Sequence, residues 1–344
     1  LAKKTKGKRN SPAKRILGGI WYILVLSAVF ATACGIGWIQ KSPMLMAMIR
    51  NTFNPKPVSE VFGKREGLTL LLIGADENRK ATKPVYDRKT GKLLHFESEV
   101  VDDQARADMI LLVRLDFKDN RITGISVPRD LECRLPGYRK QKINAYMTFN
   151  SKESKSGMMS EAVSHVLNDI PIDRTVVLDY DAFRNMIDAA GGITVNVQKR
   201  MKYDDFAGNV HVDLQPGKQK LDGYNSLMYV RFRKGEGGDG DYGRQDRQKE
   251  FLVAFKNAVL SNRLALPNVA NQGFQVLGGS LSEDEIATLA LFAQGVKSSE
   301  IRMAALPTYT VRSRGRDMER LKAGEPEQTL RQIGLLAGTE IAKR

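Results

Sequence analysis

The sequence predicts an α/β domain, layered α-β-α around a mixed central sheet and carried behind one N-terminal transmembrane helix. Three observations lead there. Between residues 66 and 336, apolar runs of strand length interleave with segments of helical periodicity. Ile16 to Ile39 is a stretch of 24 residues without one charged side chain, long enough to cross a bilayer. Seven basic residues precede it, and no acid does.

The 344 residues carry a formal charge of +15. Hydrophobic content of 42% allows a sizeable core. The basic cluster Lys3, Lys4, Lys6, Lys8, Arg9, Lys14 and Arg15 abuts the apolar span and puts residues 1–15 in the cytoplasm. Residues 16–39 then form the anchor, with Trp21-Tyr22 and Trp38 near its two interfaces, and the rest of the chain is extracytoplasmic. The expected location is the cell membrane, crossed once. Nucleic acid is not an expected partner, because the larger domain faces away from it. Residues 40–65, with three prolines beyond the span, read as a stalk. Of the two cysteines one lies in the span, so Cys133 has no soluble disulfide partner. His95, His165 and His211 are too scattered for a zinc set.

Leu68–Ile73 reads as a buried strand ending at Gly74-Ala-Asp76. Residues 77–105 are polar and read as an inserted hairpin or loop. Asp108 precedes a second apolar run, Met109–Leu115. A turn at 116–121 leads to a third strand, 122–127, which stops at Pro128-Arg129-Asp130. Further on come a helix at 157–169, a strand at 175–180 and a helix capped by Asp181 that runs to Ala190. Gly191-Gly192 stops that helix before strand 193–197. Helices are expected at 245–260, 283–296 and 325–336, with a strand at 301–306. Residues 337–344 form a basic tail.

Leu227–Val230 reads as a strand, from which Arg231 and Arg233 would leave on one face. A glycine-rich turn follows. Arg244, Arg247 and Gln248 then share a face at a helix start. Guanidinium forks around a helix N-terminus suit a phosphate group. The four local acids could equally pair with those arginines, and no nucleotide P-loop pattern occurs. Asp76 and Asp108 would face each other if their strands are antiparallel neighbours, an arrangement that suits magnesium beside phosphate oxygens.

Seven segments in this order, LLLIGAD, RADMILLV, ISVPRD, KINAYM, DYDAFRNMIDAAGGITVNV, HVDLQPGKQKLDGYNSLMYVRFR and GDYGRQDRQ, resemble the LytR-CpsA-Psr family of cell-wall glycopolymer transferases. The resemblance implies transfer of a glycan-phosphate from a polyprenyl-pyrophosphate-linked glycopolymer to a peptidoglycan sugar hydroxyl. It implies Mg²⁺ held by Asp76 and Asp108, and pyrophosphate held by Arg129, Lys142, Arg231, Arg233, Arg244, Arg247 and Gln248. Arg129 would act at the reacting centre, with Asp130 or Asp241 assisting deprotonation of the acceptor. The prenyl tail would run in an apolar tunnel between the sheet and the helices at 181–190 and 245–260. Met109 stands where the family usually has threonine, and the segment between Asp76 and Asp108 is longer than usual. A polyprenyl-pyrophosphate hydrolase and a non-catalytic, membrane-anchored lipid-phosphate-binding regulator are the rival readings.

Overall fold

The computed structural model describes residues 46–47, 50, 53–54, 56–63, 65–86, 93–149, 156–205, 210–232, 240–262, 266–277, 280–313 and 315–336. The apolar span 16–39, the tail 337–344 and the glycine-rich stretch 233–239 lie outside the described residues. Among those described, no helix is long and apolar enough to cross a membrane.

Strands and helices follow one another as α1 (Val58–Val61), β1 (Gly67–Tyr86), β2 (Leu93–Asp116), β3 (Arg121–Val127), β4 (Glu132–Cys133) and β5 (Gln141–Lys142). Then come α2 (Met159–Val166), β6 (Arg174–Asp179), α3 (Tyr180–Ala189), β7 (Ile193–Val197), β8 (Met201–Asp205), β9 (Val210–Leu214) and β10 (Gly217–Leu221). The chain closes with α4 (Gly223–Arg231), α5 (Gly240–Ser261), α6 (Leu266–Leu277), α7 (Glu283–Gly295), β11 (Ile301–Ala305), β12 (Thr308–Ser313), β13 (Arg316–Leu321) and α8 (Glu325–Ile333).

The central sheet has the order β11-β3-β2-β1-β6. Its β1–β2 and β2–β3 pairs are antiparallel, whereas β6 and β11 join the edges in parallel, so the sheet is mixed as expected. The run Leu68–Ile73 explains why both faces are covered. Leu71 and Ile73 point to one face with Ile110, Leu112 and Ile125, against Met159, Ala162 and Val163 of α2 and Leu330 of α8. Leu68 and Leu70 point to the other with Leu111, Val113 and Leu115, against Phe292 of α7. Continuous apolar strands are what a sheet buried on two sides requires.

A second core lies beside the sheet, where α3, α4 and α5 pack on the β7–β10 and β8–β9 pairs. Phe183 of α3 stacks on Phe251 of α5 with ring centroids 5.2 Å apart. The apolar faces of α3 and α5 that were expected to line a prenyl tunnel contribute to this core. Gly223 opens α4 where that helix crosses α3; a Cβ there would sit 2.3 Å from the Arg184 carbonyl oxygen, which is why no larger residue fits.

Three local readings change, and the hairpin expected between Asp76 and Asp108 is present. Leu227–Val230 is helical, within α4, because Asp222 caps that helix by accepting from the Asn225 amide at 2.8 Å. All four of these apolar residues are buried, which a strand and an enclosed helix both satisfy. The cap of α3 is Asp179, accepting from the Ala182 amide at 2.6 Å, and not Asp181, which lies in the first turn. Residues 77–86 and 93–105 continue β1 and β2 as an antiparallel ribbon. Within the segment read as a stalk, Ala47 is buried beside Leu281 and Ile286, Phe62 joins the sheet core, and Arg50 and Lys56 pair with Asp284. The described part of that segment rests on the domain.

Candidate functional site

Asp108 occupies an unusual place in the sheet. Gly74 pairs with Met109 and Ala75 with Ala107, so Asp108 is the extra residue of a β-bulge. A bulge bends its strand and re-aims the side chain it frees. The strands approach closely there: a Cβ on Gly74 would lie 2.9 Å from Met109 Cβ, and glycine is required.

The freed carboxylate meets three partners from distant parts of the chain. Arg129, just past β3, hydrogen-bonds Asp108 Oδ1. Arg231, the last residue of α4, donates to Oδ2 at 3.2 Å. The Tyr180 hydroxyl, at the start of α3, donates to the same oxygen at 3.0 Å. Arg231 also lies over the Tyr180 ring, 4.2 Å from its centroid, a cation–π contact that holds the guanidinium in place. Burial alone would lower the Arg129 pKa, but attraction to Asp108, their hydrogen bond and nearby Asp130 together raise it above its ordinary value.

Around this centre is a cavity of about 160 Å³ lined by Asp108, Arg129, Arg231, Arg244 and Gln248 among others. Gln248 is 5% exposed, and its Oε1 is buried with no hydrogen-bond partner. Buried polar atoms are normally satisfied, so this oxygen is suited to a donor from a ligand. Met109 also lines the cavity.

Arg247 goes elsewhere. It is buried, donating from Nε to the Tyr229 carbonyl at 3.2 Å and from a terminal nitrogen to the Phe232 carbonyl at 2.5 Å, with its guanidinium 5.7 Å from the Phe232 ring centroid. Those carbonyls belong to the C-terminal end of α4, whose last acceptors lack intrahelical donors. Arg247 thus ties α5 to the helix that presents Arg231, and it is not among the residues that line the cavity.

Lys142 donates to Asp130 Oδ1 at 2.7 Å, and Arg129 Nε lies 3.8 Å from Asp130 Oδ2. Main-chain bonds fix these groups: the Asn144 amide donates to the Arg129 carbonyl at 3.2 Å, and the Glu319 amide of β13 to the Asp130 carbonyl at 2.9 Å. The main chain of Asp76 lies in β1 opposite Arg106, next to the bulge. Its side chain, Arg233 and the Asp241 side chain lie outside the described residues. Among the described residues, no group of three or more His, Cys, Asp or Glu is placed to hold a metal ion.

Tyr180 was missed by sequence reasoning, which made it the last residue of a strand. Its signal was the Asp179-Tyr180-Asp181 step at a strand–helix junction, where ligand groups gather in α/β sheets. Tyr180→Phe deletes one hydrogen bond to Asp108 and keeps the ring under Arg231. The expected result is a roughly tenfold loss in turnover with an unchanged melting temperature; calorimetry and initial rates check it.

Beside Asp130, Glu132 accepts from Arg320 at 2.7 Å and from Lys140 at 3.1 Å. The Arg320 hydrogen bond, opposed by burial and aided by Lys140, holds its carboxyl below the usual range. A depressed carboxyl stabilises the fold fully above its unfolded value near ~4.3 and loses that contribution as pH falls through the lower folded value. Glu132→Gln is expected to flatten the acid limb of stability, read from thermal melts between about pH 3 and 6.

The chain resembles known proteins over most of its described length. It is 33% identical over 171 residues to the polyisoprenyl-teichoic acid–peptidoglycan teichoic acid transferase TagV of Bacillus subtilis, covering 48% of this chain and 41% of that protein. It is 32% identical over 188 residues to the regulatory protein MsrR of Staphylococcus aureus, covering 54% of each. The chain spans about half the length of these curated relatives. Its fold matches the LytR-CPS2A-psr family protein YwtF (TagT) with bound octaprenyl pyrophosphate lipid at a TM-score of 0.53 and 23% identity, over 79% of this chain and 90% of that one. The LytR_cpsA_psr family pattern covers residues 41–332, and the chain belongs to that family.

Proposed function

We propose that the chain transfers a glycan-phosphate from a polyprenyl-diphosphate carrier to a sugar hydroxyl of peptidoglycan, at the outer face of the membrane in which residues 16–39 anchor it. The observation that carries this reading is the meeting of Arg129 and Arg231 on one carboxylate, beside a cavity that Arg244 and Gln248 also line. The names of TagV, a teichoic acid transferase, and of TagT, with its octaprenyl pyrophosphate, support the substrate class.

The electrostatics explain the chemistry. Two guanidinium groups fork around one acid, which neutralises them in part and holds them in position. A diphosphate brings more charge and more acceptor oxygens than that acid, and draws the guanidiniums onto itself. The acceptor hydroxyl attacks the phosphorus next to the glycan, the bond from that phosphorus to the bridging oxygen breaks, and prenyl monophosphate leaves. Arg129, Arg231 and Arg244 stabilise the charge that gathers on the phosphoryl oxygens as this happens. The hydroxyl proton passes to a carboxylate; Asp130, held by Lys142 and Arg129, is one candidate and Asp241 the other. Carboxylate oxygens are the donors magnesium prefers, so Asp108 with Asp76 would hold Mg²⁺, which supplies further neutralisation when bound. Arg233 would add a further contact to the diphosphate, and the core between α3 and α5, where Phe183 meets Phe251, would open to admit the prenyl tail.

The test is to incubate the full chain in detergent with a synthetic polyprenyl-diphosphoryl sugar, Mg²⁺ and wall fragments. A sugar–phosphate–wall adduct is expected, and chelation of divalent metal should abolish it. Release of sugar phosphate into water with no adduct would make the chain a hydrolase. Tight binding without turnover would make it a regulator, the role that the name of MsrR carries.

A further inference from the structure

Next to the arginine centre, and sharing Asp108 and Arg129 with it, is a cleft of about 1340 Å³. One wall is the segment from Arg129 to Thr148. The other is the β12–β13 hairpin, docked by the main-chain bond from Glu319 to Asp130 and by the Arg320–Glu132 ion pair. Pockets for drug-sized ligands run to roughly 300–1,000 Å³, so this cleft is larger than a small ligand needs.

Its charge is strongly one-sided. Among the lining residues seven are Arg or Lys and three are Asp or Glu. Each of the three acids is already shared between two cations: Asp108 between Arg129 and Arg231, Asp130 between Arg129 and Lys142, Glu132 between Lys140 and Arg320. Arg134, Arg139 and Arg316 are exposed lining residues outside all of these pairs. A concave surface with surplus guanidinium groups concentrates anions. Tyr138 contributes an aromatic surface to the same wall, with its own ring braced 5.3 Å from Phe149 and 5.9 Å from Tyr146.

We propose that this cleft binds a glycan segment bearing carboxylate or phosphate oxyanions, and that Arg134, Arg139 and Arg316 select for its charge. The inference rests on the transferase reading for the neighbouring centre and names the substrate class for the space next to it. The oxyanions have two sources, the repeat units of the transferred polymer and the peptide carboxylates of the wall acceptor. In both cases, a charged chain is led to the reacting phosphorus along a surface that rewards its charge.

The experiment combines Arg134→Gln, Arg139→Gln and Arg316→Gln in the full chain, all exposed positions where substitution leaves the fold intact. Binding is measured by calorimetry with two probes. One is a synthetic phosphodiester-linked sugar tetramer, the other a disaccharide bearing a stem peptide with free carboxylates. Each is matched with an uncharged counterpart, a neutral tetramer or the amidated peptide. The wild-type chain is expected to bind at least one charged probe about tenfold more tightly than its counterpart, with salt eroding the difference. The triple variant should lose that preference and keep its binding of octaprenyl diphosphate. The probe that is preferred identifies the source of the oxyanions. Equal binding of charged and neutral probes by the wild-type chain would overturn the proposal, as would an unchanged preference in the triple variant. Neither readout needs turnover, so a failure of the transfer reaction is seen separately, in the adduct assay.

Discussion

Alanine at Arg231 is expected to cut lipid-diphosphate turnover by about 10²–10³-fold, and alanine at Arg129 by at least as much. Each guanidinium contacts Asp108 from a different direction, one at the end of β3 and one at the end of α4, so neither can replace the other. Lysine at either position keeps the charge but loses the planar fork, and should recover only a small part of the rate. The fold should survive, because both side chains reach solvent and neither supports a core. Melting temperature and circular dichroism check the fold, and single-turnover release of prenyl phosphate checks the chemistry. Unchanged turnover in both alanine variants would remove the proposed centre.

Arg247→Ala has the opposite profile. It leaves two buried carbonyls at the end of α4 without their donors and opens a space beside Phe232. Loss of such a buried, charge-assisted network costs about 2–4 kcal/mol. For a domain of this size that corresponds to a melting temperature lower by on the order of 4–7 °C. Turnover per folded molecule at low temperature should fall less than in Arg231→Ala, because Arg247 touches the helix that carries the working arginine and not the cavity. Denaturant unfolding followed in parallel with rates separates the two effects. A stable Arg247→Ala protein with no turnover would return Arg247 to the anion site.

Much of the fold was legible because its central strands are apolar on both faces, a pattern that few other elements produce. The order of Leu68–Ile73, Met109–Leu115 and Ile122–Val127 fixed three neighbouring strands, and the Gly191-Gly192 stop was equally clear. Leu227–Val230 was misread because four consecutive apolar residues have no period. The decisive signal was the capping Asp222 five residues upstream. In the site, the arginines stood out by type and spacing, but three of them face different duties. Arg244 lines the cavity, Arg247 ties two helices together, and Arg231 reaches the centre from a helix end. Adjacent positions on one helix face share a direction only roughly, and packing decides which one turns inward. Tyr180 was hidden for a related reason. A phenol at a strand–helix step reads as core until its hydroxyl is given a partner.

The extra residue in β2 has a consequence beyond the aim of one carboxylate. Register shifts recur outward from it, at Asp76/Asn78, Asn78/Arg79 and Ala81/Lys83, so the two-stranded arm is uncoupled step by step from the ladder that packs in the core. An arm joined through such joints can be shortened, extended or exchanged without sliding a single core residue to the wrong face. The sheet therefore behaves as a socket, and what projects from it can be changed independently of the machinery at its base.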